Sequence, residues 1–207
     1  MAKKFELTAE FVTNIFGKKL FRIKALMAFG DVKEGELGGY LEKEENLDHD
    51  GDAWVSDYAQ VYGNAQVYGD ARVYGNAQVS GNALVSGNAW VSGDALVSGN
   101  ALVSGNAQVY GDARVYGDAQ VSGDALVSGN AEYTTIKGFG RECRTTTFFR
   151  LKNGEVGVRC GCFCGTIEQF REKVQETHRD SKYAKEYLMI ADLMELHFEH
   201  EEEKNIV

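Results

Sequence analysis

Residues 63–80 read GNAQVY GDARVY GNAQVS, and this six-residue unit, Gly-(Asn/Asp)-Ala-x-Val-(Ser/Tyr), is written fourteen times between Gly51 and Thr134. Only Asp57-Tyr58 departs from the Gly-(Asn/Asp) start. Ala and Val lie two residues apart, so they share one face of a short strand, while x and Ser/Tyr share the other. Gly and Asn/Asp tolerate positive φ and make the corner. Three strands and three corners close an eighteen-residue coil with Val and Ala inside, which predicts a parallel β-helix.

The residues before the repeats predict a cap for the first coil. Residues 1–38 contain alternating apolar residues around a turn at Gly17, which indicates a β-hairpin. Residues 39–50 are interpreted as two degenerate units, with Leu41 and Leu47 in the Ala phase and Lys43 and His49 where Val would stand. Terminal repeats are expected to be atypical because one side lacks a neighbouring coil. The predicted β-helix therefore spans residues 39–134, of which 51–134 are regular.

Residues 135–207 lose the period and predict a small α+β module. Asn153-Gly154 lies between two alternating runs, 145–151 and 155–163, and is a strong hairpin signal. Thr166 and Gln169 form a capping box that opens a helix reaching about Thr177. A second helix is predicted from about Ser181 to His200, with its apolar stripe on one face.

The repeats carry a family resemblance. Written from Val, the unit places a small residue four positions after an aliphatic one, as in Val67 with Ala71 and Val85 with Ala89. This pattern resembles the left-handed β-helix of the hexapeptide-repeat proteins, whose best-known members are trimeric acyltransferases. The lead-in that ends Gly35-Glu-Leu-Gly-Gly-Tyr40 and the stretch Cys160-Gly-Cys-Phe-Cys-Gly-Thr166 look like flanking modules of uncharacterised repeat proteins of phages and prophages. The resemblance implies a left-handed coil, a homotrimer and a phage-type setting.

Charge and hydropathy exclude two classes of partner. The formal net charge is −9, and residues 51–134 carry −6 with Arg72 and Arg114 as their only basic residues. A general nucleic-acid surface on the coil is therefore not expected. No apolar stretch approaches the length of a membrane span, and no signal-peptide pattern opens the chain. Together with the phage-type setting that the resemblance implies, this makes the cytoplasm of an infected or lysogenic bacterium the expected location.

Four cysteines fall in the C-terminal module, at Cys143, Cys160, Cys162 and Cys164. The last three alternate, so on one strand they would point to the same side. Two interpretations stay open. Reduced thiols filling a small core is the preferred one. A zinc site is the alternative, although Cys-x-Cys-x-Cys lacks the usual spacing of zinc knuckles. No cofactor is predicted.

Two groups of outward residues are candidates for binding. The first face of the coil stacks Trp54, Arg72 and Trp90, with Tyr74 beside them, where a guanidinium between indoles would suit an aromatic ligand or partner ring. These side chains could equally pack against a terminal module or another subunit. Leucines on the outer faces predict an oligomer interface instead, and they are Leu84, Leu96, Leu102 and Leu126.

The second candidate site is basic. Residues 137–159 carry +4 in an otherwise acidic chain, and Arg141, Arg144 and Arg159 are their candidate ligand-binding residues. A local reversal of sign is typical of a site for a phosphate or an acidic partner. Scattered arginines on solvated strands are the competing interpretation.

The histidines argue against catalysis. Acyltransferases of this fold use a histidine base on the coil or a loop, and residues 51–134 contain none. The sequence therefore predicts a non-enzymatic binding or scaffold protein, which could sequester a small anionic, nucleotide-like signal or block a host defence protein. A group transferase with a site between subunits and a structural component of the virion are the alternatives.

Overall fold

A computed structural model describes residues 3–199 of the chain. Its central part is a parallel β-solenoid of about five turns, built from thirteen two-residue strands that recur every six residues. The strands are β4 (Trp54–Val55), β5 (Gln60–Val61), β6 (Gln66–Val67), β7 (Arg72–Val73), β8 (Gln78–Val79), β9 (Leu84–Val85), β10 (Trp90–Val91), β11 (Leu96–Val97), β12 (Leu102–Val103), β13 (Gln108–Val109), β14 (Arg114–Val115), β15 (Gln120–Val121) and β16 (Leu126–Val127).

The strands stack into three parallel sheets, one for each face of the coil. The first holds β4, β7, β10, β13 and β16, the second holds β5, β8, β11 and β14, and the third holds β6, β9, β12 and β15. Each strand pairs with the strand eighteen residues away, as Trp90 does with Arg72 on one side and Gln108 on the other. This confirms the parallel β-helix and its eighteen-residue turn. The left hand of the coil stays a prediction from the resemblance.

The interior of the coil is made from the two residue types that the repeat predicts. From Ala53 to Val127, the Ala and Val of every unit have no exposed surface. Small Ala and branched Val fill the narrow interior together, because each leaves its strand toward the same side. The side chains at x and Ser/Tyr lie on the outer faces.

Backbone hydrogen bonds join each turn of the coil to the next and form the ladders of the three parallel sheets. From Trp54 to Tyr110, the N–H groups of x, Ser/Tyr and Asn/Asp donate to carbonyls one turn later, as Gln78 does to Ala95 at 2.9 Å. Asn side chains at the corners continue the pattern: Asn64 donates to Asn82 at 3.2 Å, and Asn82 to Asn100 at 3.0 Å. Asp57 replaces a corner glycine with φ of 56°, a conformation that Asp tolerates better than most residues.

The N-terminal hairpin is present as predicted and extends the second face. Strands β1 (Phe5–Thr13) and β2 (Lys19–Ala25) pair antiparallel, and β2 pairs with β3 (Leu37–Leu41). Strand β3 then runs parallel to β5, so the hairpin covers the first coil edge. Gly38 permits this approach, since a Cβ there would lie 2.7 Å from Cζ2 of Trp54.

The predicted phase of the first coil is wrong. Leu41 pairs with Val61 and Leu47 with Val67, so both leucines occupy the Val position and not the Ala position. The register shifts because this turn has twenty residues, two more than the regular turns. The extra residues lie after Leu47, where His49 leaves the interior and stacks on Phe5 at 4.5 Å between ring centroids.

The last predicted unit does not join the coil. Residues 129–134 form a short 3₁₀ helix (Asn130–Glu132) and the start of strand β17 (Tyr133–Phe139), so Glu132 is not on a coil strand. Tyr133, which stands at a Val position, donates its hydroxyl to the carbonyl of Arg114 at 2.6 Å. The side chain of Asn130 accepts from the N–H of Arg114 at 3.0 Å. The regular β-helix therefore ends at Val127, and this segment satisfies its open edge.

The C-terminal module is an antiparallel sheet covered by two helices. Its strands are β17 (Tyr133–Phe139), β18 (Arg144–Arg150), β19 (Val156–Cys160) and β20 (Phe163–Thr166), in that order. Helix α1 (Ile167–His178) begins at the predicted capping box, and α2 (Lys182–Phe198) begins at Ser181. His200, the predicted end of the second helix, lies outside the described residues. Among residues 3–199, no helix is long and apolar enough to cross a membrane.

Candidate functional site

A cleft of about 410 Å³ opens in the C-terminal module between the sheet and the two helices. Its walls come from the β17–β18 turn and the start of β18, the β19–β20 turn, α1 from Phe170 onward and one side chain of α2. The volume falls in the range of small-molecule sites. Seven side chains give the cleft its chemistry: the basic Arg141, Arg144, Lys173 and His178, and the aromatic Phe163, Phe170 and Tyr187.

The aromatic floor is fixed by packing between the sheet and the helices. The ring of Phe170 lies 5.6 Å from Phe163 and 5.6 Å from Tyr187, measured between centroids. Phe170 and Tyr187 are buried, and Phe163 is half-buried. Phe170 sits on the inner face of α1 because the helix starts at Thr166, whose hydroxyl accepts from the N–H of Gln169. The cleft therefore has a rigid apolar base.

The rim of the cleft is positively charged. Arg141 lies 3.9 Å from Glu142 and Lys173 lies 2.7 Å from Glu176, both in exposed pairs that water screens. Within residues 3–199, Arg144 makes no ion pair. Its guanidinium lies against Gly161, where an added Cβ would stand 2.5 Å from Nη1. The guanidinium N–H groups of Arg144 are thus available to a ligand at the mouth of the cleft.

Two polar groups lie deeper. Burial and the neighbouring Cys160 raise the pKa of Tyr187 to about 12, so its hydroxyl stays protonated at neutral pH. That hydroxyl donates to the carbonyl of Phe139 over a long 3.4 Å. The thiol of Cys160 accepts from the hydroxyl of Thr146 at 3.2 Å. The hydroxyl proton of Tyr187 is therefore engaged, so toward a ligand its oxygen can accept a hydrogen bond and the Cys160 thiol can donate a weak one.

The cysteines do not share one strand face, which corrects the sequence interpretation. A turn at Gly161 separates β19 from β20, so Cys160 faces the helices and Cys164 faces Ser122 of the coil at 3.4 Å. Cys143, Cys162 and Cys164 are exposed and Cys160 is partly buried, so they do not fill a core either. Among the described residues, no group of three or more His, Cys, Asp or Glu is arranged to hold a metal ion. The zinc alternative therefore has no geometric support.

The basic stretch is divided among several places. Arg141 and Arg144 reach the cleft as one set. Arg159 points to the opposite side of the sheet, where its Nε donates to Gln120 at 3.3 Å. Arg150 is largely buried beside Glu132 at 3.6 Å, and Lys137 pairs with Asp118 at 2.9 Å. The predicted +4 stretch is thus not one site. Of its three candidate arginines, Arg141 and Arg144 line the cleft and Arg159 does not.

The tryptophan face is only partly open. Trp54 is 2% exposed and packs against Phe5 and Phe29 of the N-terminal region. Arg72 lies between Trp54 and Trp90 in register, as predicted, but its guanidinium pairs with Asp31. Trp54 is therefore core rather than a stacking surface, and Arg72 is already neutralised. Trp90 stays accessible, with its ring 6.4 Å from that of Tyr74.

Three other clefts in the described part of the chain are larger, and two of them have the wrong charge for an anion. One of about 520 Å³ lies between the end of the coil and the start of α1, where Lys152 stands against Asp124 and Glu155. Another of about 730 Å³ lies beside the first coil and is lined by Glu44, Glu45 and Asp48. Volume alone would favour these two clefts, but the net charge of their lining residues is negative and repels anionic ligands.

The third larger cleft, of about 490 Å³, is lined by Arg114, Tyr116 and Tyr133 and offers a single positive charge. The C-terminal cleft has one carboxylate, Glu142, against the three cations Arg141, Arg144 and Lys173.

Sequence reasoning missed the α1 side of the cleft. Lys173 and His178 lie four and nine residues after Gln169 of the capping box, and both line the cleft from α1. His178 stacks loosely on Tyr187, with 5.7 Å between centroids. The sequence predicted α1 itself, but nothing in it indicated that this helix packs against β19 and β20.

Four segments of the coil match the family model described as the YdcK beta solenoid repeat, at residues 65–79, 77–93, 107–119 and 119–131. All four lie within the regular repeats. No curated protein gives a significant match to the chain. The matched repeats and the stacked strands agree with each other, and they make this chain a β-helix repeat protein.

Proposed function

We propose that the C-terminal cleft binds a small anionic ligand that also carries an aromatic ring, and that the β-helix is the scaffold that presents it. The observation that carries the proposal is the meeting of Arg141, Arg144 and Lys173 over a floor of Phe170 and Tyr187. A phosphate would take the charge-assisted donors of the rim, and a base or similar ring would lie on the aromatic floor.

A titration with a defined probe tests the proposal. A nucleoside monophosphate should bind the full chain with one site per chain, whereas the same nucleoside without phosphate and inorganic phosphate alone should bind far more weakly. Arg144→Ala should raise the dissociation constant about tenfold or more, since a hydrogen-bonded charge contact contributes about 1.5–3 kcal/mol. Isothermal titration calorimetry measures each constant directly.

Arg159→Ala is the matched control. It removes the same charge from the same sheet, but Arg159 points to the coil and not to the cleft. We expect it to change the dissociation constant less than about twofold, because its remaining effect is long-range and screened by salt. Equal losses in the two variants would indicate a general electrostatic effect and contradict the proposed site.

Binding without reaction is the preferred mode, and a transferase is the competing one. His178 lines the cleft, so the helix supplies the histidine that the coil lacks. His49 is engaged elsewhere, at 2.7 Å from a carboxylate oxygen of Glu44. A sequestering protein should release the bound nucleotide unchanged after denaturation, and His178→Ala should keep most of the affinity. Recovery of a converted product that disappears in His178→Ala would favour the enzyme.

The biological setting is proposed from the family resemblance. We infer a hexapeptide-type protein of phage origin that acts in the bacterial cytoplasm and lowers the free concentration of a nucleotide-like signal. Sequestration requires stoichiometric binding without turnover, which the titration of the cleft tests. Blocking a host defence protein and serving as a virion component remain alternatives of the same sequence-based proposal.

A homotrimer through the coil faces is proposed on the same basis. Leu84, Leu96, Leu102 and Leu126 are all half-buried within the single chain, because neighbouring rows cover part of each. Leu84 and Leu102 nevertheless stack directly on the third face. We expect light scattering to give a multiple of three chains at micromolar concentration, and Leu102→Lys to reduce it. A Leu102→Lys mass equal to that of the unchanged protein would contradict this interface.

A further inference from the structure

Helix α2 has a second apolar face that the fold does not use. Its inner face is buried through Tyr187, Ile190 and Met194. Met189, Leu193 and Leu196 are 71%, 54% and 65% exposed. Their spacing of four and three residues places them in one row along the outer face of the helix. Three large apolar side chains in one exposed row are more than a solvated helix face normally carries.

Charges at the two ends of this row have the opposite arrangement to the one that stabilises a single helix. Lys182 and Lys185 lie in the first turns, and Glu199 follows the last turn, whose one basic residue is His197. The other two glutamates near the ends are engaged within the chain, since Glu186 accepts from the N–H of Gly140 and Glu195 pairs with Arg171. The helix dipole favours acidic residues at the start of a helix and basic residues at its end. This arrangement of charges destabilises the isolated helix. A second helix running in the opposite direction would place its acidic end beside the basic start of α2.

We propose that α2 pairs antiparallel with α2 of a second copy of this chain, about a two-fold axis near Leu193. At 1.5 Å per residue, Lys185 lies about 12 Å before Leu193 and Glu199 about 9 Å after it. Reversal of one helix therefore brings the basic start of each copy beside the acidic end of the other. The apolar row packs on itself at the centre, which is the self-complementarity that a two-fold interface requires.

The pairing is independent of the proposed ligand site. The one α2 side chain in the cleft is Tyr187, which belongs to the inner face. The outer face is also separate from the coil leucines, so the two interfaces can coexist. The interface is one pair of helices about 25 Å long. Such a small interface predicts dissociation in the micromolar range.

Leu193→Lys tests the apolar centre. Sedimentation equilibrium of the full chain should give half the mass of the unchanged protein, whichever other contacts are present, while the far-UV circular dichroism stays the same. Gln175→Lys is the control, because Gln175 lies on the exposed side of α1 and its replacement adds the same positive charge away from α2. It should keep the full mass. A full-chain mass that Leu193→Lys leaves unchanged, or an unchanged protein that is monomeric at about 100 µM, overturns the pairing.

The charges give a second, independent readout. In the unchanged protein, salt should weaken the pairing because it screens attraction between unlike ends. In the double variant Lys182→Glu with Lys185→Glu, like charges meet at both ends, so pairing should be at least tenfold weaker and should strengthen with salt. A helix pair held in parallel would instead place like ends together from the outset. The same sign of salt dependence in both proteins would therefore contradict the antiparallel arrangement.

Discussion

Replacing Val85 by Asp should leave the chain without its native coil. The side chain of Val85 has no exposed surface and meets only other Val and Ala side chains of the solenoid interior. A carboxylate there would lose its hydration without gaining a partner, at a cost of several kcal/mol or more. Since a domain has about 5–15 kcal/mol of stability in total, we expect loss of the cooperative melt followed by circular dichroism. Val103 occupies the same kind of position and should behave alike.

Gln78→Lys is the control on the outer face of the same solenoid. Gln78 is partly exposed, and its side chain accepts only one long hydrogen bond, from Tyr62 at 3.5 Å. Its replacement should change the stability by about 0.5 kcal/mol or less, as surface substitutions usually do. Similar melting temperatures for Val85→Asp and Gln78→Lys would contradict the inward and outward assignment of the repeat.

Replacing Gly99 by Ala should destabilise the coil far more than the same change at Gly117. Both glycines have positive φ, 74° and 69°, so both replacements carry the cost of a left-handed Ala, about 1–2 kcal/mol. At Gly99 the new Cβ would also stand 2.9 Å from the backbone N of Gly117 in the next turn. At Gly117 it meets nothing within 4 Å. Only the first change therefore forces two turns apart.

The difference between the melting temperatures of the two glycine variants measures the steric cost alone, because both share the cost of the left-handed conformation. For a chain of this size, we expect Gly117→Ala to lower the melting temperature by about 4 °C and Gly99→Ala by at least twice that. The corner backbones must separate at Gly99, which weakens hydrogen bonds such as that from Asn100 to Gly117 at 2.8 Å. Equal shifts would mean that the corners have room and that only backbone conformation selects glycine.

The coil could be predicted from sequence because its information is local and repeated. A six-residue unit fixes strand, corner and inward side in the same few residues, and each turn repeats the constraint. The ends lack this redundancy. The two additional residues after Leu47 moved Leu41 and Leu47 from the Ala to the Val phase, and no local pattern marks such an insertion. Likewise, Tyr133 occupies a Val position in the sequence but leaves the coil for β17.

The candidate site was predictable only on its strand side. Arg141 and Arg144 stood out because their charge contrasts with the acidic chain. The rest of the cleft depends on tertiary packing, which brings Lys173 and His178 of α1 across the sheet. The prediction that the cysteines share one strand face was wrong for a local reason, because Gly161 with φ of 60° turns the chain between Cys160 and Cys162. The prediction that Trp54 is an exposed stacking surface was wrong for a long-range reason, since the N-terminal region covers its ring.

The proposed ligand-binding cleft is tested most directly by native mass spectrometry of the protein purified from its own host without denaturation. The unchanged protein and Arg159→Ala should each retain one small anionic molecule per chain, released intact when the protein is unfolded. Arg144→Ala, in the same fold and purified in the same way, should retain little or none. Equal retention by Arg144→Ala and Arg159→Ala, or no retained anion in any of the three, would contradict the cleft as the binding site.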